Sequence, residues 1–257
     1  MNMDKKKSFL DLVNVIDELR EKCPWDKKQT KNSLRSLTIE ECYELSDAIL
    51  NDKDEEIKKE LGDILTHIIF YSKIFSEKNI FTIDDVINNQ IEKLIRRHPH
   101  IYGESTISTE KEVKKNWEAI KLNESSRKSV LEGVPKSLPT LLKSWRILEK
   151  VGDLGFQWNN KIDYIRKIDE ELLEFKTELS KKNKIKIDEE FGDFLFSIIN
   201  YGRFLGINPV DSLEKTNKKF ITRFKYMEHL IKSDNKKIEN LSNNELELYW
   251  NRSKNLQ

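Results

Sequence analysis

Two acidic pairs in the second half of the chain have a spacing that could do chemistry. Glu171 and Glu174 stand three apart in Glu170-Glu171-Leu172-Leu173-Glu174, and Glu190 and Asp193 stand three apart in Glu190-Phe191-Gly192-Asp193. Residues three apart on a helix share a face, so each segment offers two carboxylates on one side. Ser180-Lys181-Lys182-Asn183 between them reads as a turn joining antiparallel helices. Glu174 lies six residues before Ser180 and Glu190 six after Lys184, while Glu171 and Asp193 lie nine out on either side. At about 1.5 Å per residue the two pairs reach similar heights on the hairpin. Four converging carboxylates repel one another unless a cation sits among them. An all-oxygen set suits a hard divalent ion, Mg²⁺ first and Mn²⁺ next.

In a chain with 35% charged residues a single such pair is most simply a solvated helix face. The repetition of the whole device argues otherwise. The first half carries Glu40-Glu41-Cys42-Tyr43-Glu44 and then Glu60-Leu61-Gly62-Asp63, and Glu41 to Glu60 spans nineteen residues, as does Glu171 to Glu190. Glu60–Lys73 and Glu190–Arg203 share E-x-G-D-x-L-x-x-I-I-x-Y. Lys93 and Arg97 are spaced like Lys219 and Arg223, Trp117 answers Trp250, and Trp25 answers Trp158. An offset of about 130 residues exceeds any solenoid unit and reads as a duplicated domain. Gly62 and Gly192, inside helical patterns at a cost of about 1 kcal/mol each relative to alanine, indicate either tight helix packing or the close approach of a ligand or backbone.

Basic side chains complete the second-half constellation. Lys219 and Arg223 are i and i+4 on one helix, and Arg grips phosphate through two parallel hydrogen bonds. Lys167 lies one turn before Glu171. An acidic cage beside cations is what a polyphosphate with its divalent ion requires, the ion bridging phosphate oxygens and acidifying a water, the cations offsetting leaving-group charge. Glu170 or Glu189 is placed to orient or deprotonate that water. Set against this, Lys219 and Arg223 alone would be ordinary solvated cations, and Trp117 and Trp250 ordinary packing residues. His67 reads as a packed helix residue, and His98 and His100 as structural. There is no Walker-type phosphate loop and no legible Ser–His or Cys–His pair.

These residues need helices to hold them. Eight glycines, five prolines and scarce alternation point to an all-α chain. Periodicity and caps predict helices over 9–22, from a Ser33 or Ser36 cap to about Leu50, over 54–76, from Thr82 or Asp84 to Arg97, and over 110–122. After the Ser/Gly/Pro-bearing stretch 123–140 they continue over 141–151, with Gly152–Trp158 as a loop, then the acidic hairpin, about 209–231, and a last helix bearing Trp250. The domains are therefore expected as 1–122 and 141–257, joined by a linker at 123–140. A net charge of +1 gives no pull toward nucleic acid or membrane, and no apolar run is long enough to span a bilayer. Two cysteines, Cys23 and Cys42, with no secretory segment, suit free thiols in a reducing, cytoplasmic compartment. Apolar content of 37% is low and favours association between halves or subunits.

Cys23-Pro24-Trp25-Asp26-Lys27-Lys28-Gln29-Thr30, the doubled E-E-x-x-E with E-x-G-D, Arg96-Arg97-His98-Pro99-His100, and Gly133-Val134-Pro135 with Leu138-Pro139 together resemble the MazG family of nucleoside triphosphate pyrophosphohydrolases, over nearly the whole chain and in order. The resemblance implies tandem all-α domains in a homodimer whose helices complete each other's bundles. It also implies Mg²⁺-dependent hydrolysis of NTPs and dNTPs to monophosphate and pyrophosphate, with water attacking the α-phosphorus. It makes Glu171, Glu174, Glu190 and Asp193 metal ligands and, with Glu170, the catalytic set. Its nucleotide contacts fall on Lys167, Ile168, Asp169, Glu170, Glu171, Lys186, Ile187, Asp188, Glu189, Lys219, Arg223 and Trp250. A second possible site comprises Glu40, Glu41, Glu44, Glu60, Asp63, Lys93, Arg97 and Trp117. Leu37 stands where the second half has Lys167, which makes the second half the expected catalyst and the first regulatory, structural or weaker. Two other readings compete: a non-catalytic helical dimerisation or adaptor protein, and a narrow dUTP or modified-nucleotide hydrolase of the same superfamily. Direct nucleic-acid binding is not expected, because the basic residues are interleaved with acidic helices.

Overall fold

A computed structural model describes residues 7–103 and 129–254, together with 109, 112, 113, 116, 117, 120, 121 and 124 between them. The expected helix over 110–122 lies largely outside the described residues. The chain divides into two compact units, Met1–Ile107 and Ser108–Gln257. Every regular element among the described residues is helical, so the all-α expectation holds. No helix there is long and apolar enough to cross a membrane.

The first unit holds α1 (Phe9–Lys22), α2 (Lys31–Leu50), α3 (Asp54–Ser76), α4 (Ile83–Arg97) and the short α5 (Pro99–Tyr102). Capping boxes start α1 at Ser8 with Asp11 and α4 at Thr82 with Asp85. The start of α2 differs from the sequence expectation. Thr30 is the cap, and Ser33 is its partner three residues on, its hydroxyl accepting from the Thr30 N–H at 2.9 Å. A serine in the position usually taken by Glu or Gln hid this box. Pro99 ends α4 as expected, yet it also opens α5, because its fixed φ suits a first helical position.

α2 and α3 form an antiparallel hairpin turned at Asp52, whose φ is 52°. α1 lies across α3, and Ile16, Leu34, Ile69, Phe70 and Ile74 are the buried centre. Arg20 fastens this packing. Its Nε and Nη2 donate to the two Glu77 carboxylate oxygens at 2.8 and 2.9 Å, and Nη1 reaches the Gln29 carbonyl at 3.0 Å. One guanidinium therefore joins the end of α1, the following loop and the end of α3.

The second unit holds α6 (Thr140–Asp153), α7 (Lys161–Lys181), α8 (Lys184–Phe204), α9 (Pro209–Ser233) and α10 (Asn243–Ser253). The hairpin of α7 and α8 is its most extensive helix pair, and Lys182 makes the turn with a left-handed φ of 58°. Gly152 and Asp153, expected in a loop, are the last residues of α6. A second core of Met227, Ile231 and Tyr249 joins α9 to α10. Apolar side chains stay exposed on α4, where Ile91 and Leu94 are 49% and 45% accessible, and on α8 at Phe191 and Leu195.

Leu34 is 1% exposed and Leu10 67% exposed. Leu34→Ala should therefore lower stability by about 2–5 kcal/mol, and Leu10→Ala by about 0.5 kcal/mol or less, in denaturant unfolding. Equal losses would contradict this core.

Candidate active site

In the second unit, α7 carries Lys167, Glu170, Glu171 and Glu174, and α8 carries Glu190 and Asp193. The hairpin brings carboxylate oxygens of Glu171, Glu190 and Asp193 within 4.8 Å of one another, and likewise those of Glu170, Glu171 and Glu174. Glu171 belongs to both trios and is only 6% exposed. Desolvation, then the charges of Glu174, Asp193 and Glu171, push the Glu190 carboxyl above its usual range. Lys167 Nζ donates to Glu170 and to Glu171, each at 2.7 Å. Those bonds, Glu170 first, hold the Lys167 ammonium well above its ordinary pKa.

The first unit repeats the arrangement with Glu41, Glu60 and Asp63, whose oxygens also lie within 4.8 Å of one another. Glu60 is 4% exposed; Lys59 Nζ meets Oε1 at 3.0 Å, and Oε2 is buried without a hydrogen-bond partner. A buried carboxylate oxygen with no donor is costly, and a cation is the partner that satisfies it. Burial, then the neighbouring acids Glu60, Asp63 and Glu44, raise the Glu41 pKa. Both carboxylate sets thus fit a hard divalent ion. Glu40 and Glu44 line a cavity of about 440 Å³ with Glu60. His67, one turn beyond Asp63, is half-buried, and desolvation lowers its pKa and favours the neutral ring.

The remaining expected contacts are placed less closely. Ile168 is half-buried and Asp169 exposed on α7. In the first turn of α8, Lys186 pairs with Glu189 at 2.6 Å, Ile187 is half-buried and Asp188 is exposed. Lys219 and Arg223 lie on α9, and neither makes an ion pair among the described residues. Trp250 packs in the α9–α10 core with Phe220, their rings 5.0 Å apart. Lys93 and Arg97 lie on α4 in the first unit, whereas Trp117 belongs to the second, with Lys121 5.5 Å over its ring. A Cβ at Gly62 or Gly192 would meet nothing within 4 Å. Among the described residues, then, no neighbour packs closely enough to require either glycine.

Sequence reasoning missed a cavity of about 420 Å³ beside the second acidic cluster. Lys167, Glu171 and Asp193 are among its polar lining residues, and Phe156, Trp158 and Phe196 among its apolar ones. The signal was the run Gly155-Phe156-Gln157-Trp158, with Gly155 at φ 92°, which looked like a plain connection.

The raised Glu190 pKa has a testable sign. Its charged form costs stability above the folded pKa, and that cost vanishes below the unfolded value near 4.5. In chelator, Glu190→Gln should melt above the wild type at pH 7, and the gain should disappear as pH falls through the carboxylate range. A lower melting temperature at pH 7 would contradict the crowding.

Residues 29–102 match the model of the MazG nucleotide pyrophosphohydrolase domain. The chain is 42% identical over 250 residues to the nucleoside triphosphate pyrophosphohydrolase/pyrophosphatase MazG of Thermotoga maritima, covering 96% of this chain and 95% of that protein. It is 33% identical over 251 residues to the nucleoside triphosphate pyrophosphohydrolase of Escherichia coli K12, covering 95% of each. It is also 39% identical to the uncharacterized protein YabN of Bacillus subtilis, across 96% of this chain and 51% of that one. With likeness of this extent, and with the acidic helical hairpin in both halves, the chain belongs to the MazG nucleotide pyrophosphohydrolase family.

Proposed function

We propose that the chain hydrolyses NTPs and dNTPs to the monophosphate and pyrophosphate, with its second half as the main catalyst and its first half as regulatory, structural or weaker. The observation that carries this reading is the meeting of Glu171, Glu190 and Asp193, two of which, Glu171 and Asp193, line a largely apolar cavity together with Lys167. Acids, a cation and an apolar recess are what a metal-bound triphosphate attached to a base needs.

Glu171, Glu174, Glu190 and Asp193 would hold Mg²⁺, or Mn²⁺ in its place. When bound, the ion offsets phosphate charge and makes a water molecule more acidic. Glu170 or Glu189 accepts the proton of the attacking water. The water oxygen bonds to the α-phosphorus, the bond to the α–β bridging oxygen breaks, and pyrophosphate leaves with that electron pair. Lys167, now bonded to Glu170 and Glu171, exchanges a carboxylate for a phosphate oxygen and offsets the developing charge. Lys219 and Arg223 supply further cations to the phosphates and Trp250 a ring. The first half has Leu37 in place of Lys167, which leaves its acidic trio without that cation. Exposed apolar residues on α4 and α8 support a homodimer, and the free cysteines suit a reducing cytoplasm.

The test compares Glu171→Gln with Glu41→Gln in pyrophosphate release with Mg²⁺ across a panel of NTPs. Glu171→Gln should lower kcat/KM by about a hundredfold or more, while Glu41→Gln should keep most turnover. Loss in Glu41→Gln alone would reverse the assignment. Diphosphate plus phosphate as products, or no turnover with Mg²⁺ or Mn²⁺, would overturn it, the latter in favour of a helical adaptor.

A further inference from the structure

Two side-chain amides, Gln157 and Asn200, are among the residues that line the second-unit cavity. Both are held by one guanidinium. Arg203 Nη1 donates to Gln157 Oε1 at 3.1 Å, Nε donates to Asn200 Oδ1 at 3.3 Å, and Nη2 donates to the Tyr164 hydroxyl at 3.2 Å. Guanidinium only donates, so each amide must turn its oxygen toward Arg203 and leave its NH₂ for the cavity. Arg203 is itself anchored by the Tyr164 hydroxyl. Tyr164 is 1% exposed, its ring centre lies 4.5 Å from that of Phe204, and its hydroxyl donates to the Trp158 carbonyl at 3.4 Å. Gly152 leaves the room, since a Cβ there would lie 2.5 Å from Arg203 Nη1.

The walls beside these amides are aromatic and open, Phe156 81% and Trp158 40% exposed. A flat ring inserted there covers apolar surface and meets two N–H donors at its edge. Glu171 and Asp193, two of the clustered acids, line the same cavity. The first unit has no counterpart to the amide device. Lys73 stands where the second half has Arg203 and pairs with Asp17 at 2.7 Å, and Phe70 stands where it has Asn200 and is buried in the core.

We propose that Gln157 and Asn200, oriented by Arg203, form a donor pair that selects 6-oxopurine over 6-aminopurine nucleotides. Guanine and hypoxanthine present O6 and N7 side by side as acceptors, whereas adenine sets an N6 amino donor beside N7. A donor pair meets both acceptors of the first kind and opposes the amino group of the second. This inference rests on the nucleotide reading above. Gln157 and Asn200 touch the base; Arg203 is a positioning residue that acts through them.

The experiment measures pyrophosphate release from GTP, ITP and ATP with Mg²⁺ by wild-type chain, Asn200→Asp, Gln157→Glu and Arg203→Lys, with calorimetric binding of GMP and AMP in parallel. Wild type should favour GTP and ITP over ATP in kcat/KM by about tenfold to a hundredfold, chiefly through KM, and should bind GMP more tightly than AMP. Asn200→Asp keeps the size of the side chain and puts a carboxylate oxygen where the NH₂ stood. It and Gln157→Glu should bring the GTP/ATP ratio to one or below. Arg203→Lys keeps the charge but cannot hold both amides, and should lower the GTP/ATP ratio in kcat/KM, chiefly by raising KM for GTP. A wild-type ratio near one, or variants that slow every nucleotide equally with the ratio unchanged, would overturn the proposal. If the chain releases no pyrophosphate from any nucleotide, the hydrolase reading fails, and the GMP/AMP affinity ratio alone decides this one.

Discussion

Like charges forced together govern this molecule. Each helical hairpin brings carboxylates of facing helices within 4.8 Å of one another, a geometry that opposes its own formation until something positive joins it. The cost shows in the raised pKa values of Glu190 and Glu41, and in the buried Glu60 oxygen that no donor reaches. What holds the acids in place is packing elsewhere on the same helices: Ile69, Phe70 and Ile74 below the first cluster, and Tyr164 with Phe204 below the second. The hairpins are thus stabilised at one level and strained at another. That division is common where a site must be ready for a ligand.

The two halves spend the same frame differently. In the first, Lys59 reaches Glu60, and a leucine fills the place of Lys167. In the second, Lys167 bridges Glu170 and Glu171, and the positions matching Phe70 and Lys73 have become Asn200 and Arg203. An apolar core position and a surface ion pair in one half correspond to a polar wall in the other. One half therefore has a cavity beside its acids at positions where the other has a packed core residue and a surface ion pair.

Much of this was legible in the sequence because it follows from local periodicity. Spacing of three along a helix, a short turn and equal counts outward predicted that Glu171, Glu174, Glu190 and Asp193 converge, with Glu41, Glu44, Glu60 and Asp63 as the repeat; the trios Glu171, Glu190, Asp193 and Glu41, Glu60, Asp63 do meet, while Glu174 groups with Glu170 and Glu171 on its own helix. The boundaries of α1 and α3 followed from apolar spacing and flanking polar residues. Less local features were hidden. The cap at Thr30 used serine as its return partner, and the cavity depends on a loop whose conformation is set by Gly155 and on a network among Gln157, Tyr164, Asn200 and Arg203, residues far apart along the chain. The Lys167 ion pairs were implicit in i+3 and i+4 spacing, but a free phosphate contact was the expectation. Gly62 and Gly192 were conspicuous in the sequence, and among the described residues both have open surroundings.

The central claim is that the second-half acids form a cradle for a divalent cation. Paramagnetic resonance of Mn²⁺ tests it most directly, by following loss of the free-ion signal on titration with wild-type chain and with a Glu171→Gln, Asp193→Asn double variant. The account expects the wild type to take up Mn²⁺ and Mg²⁺ to displace it, with the double variant retaining only what the first-half trio binds. Equal Mn²⁺ uptake by wild type and variant, or none by either, would contradict it.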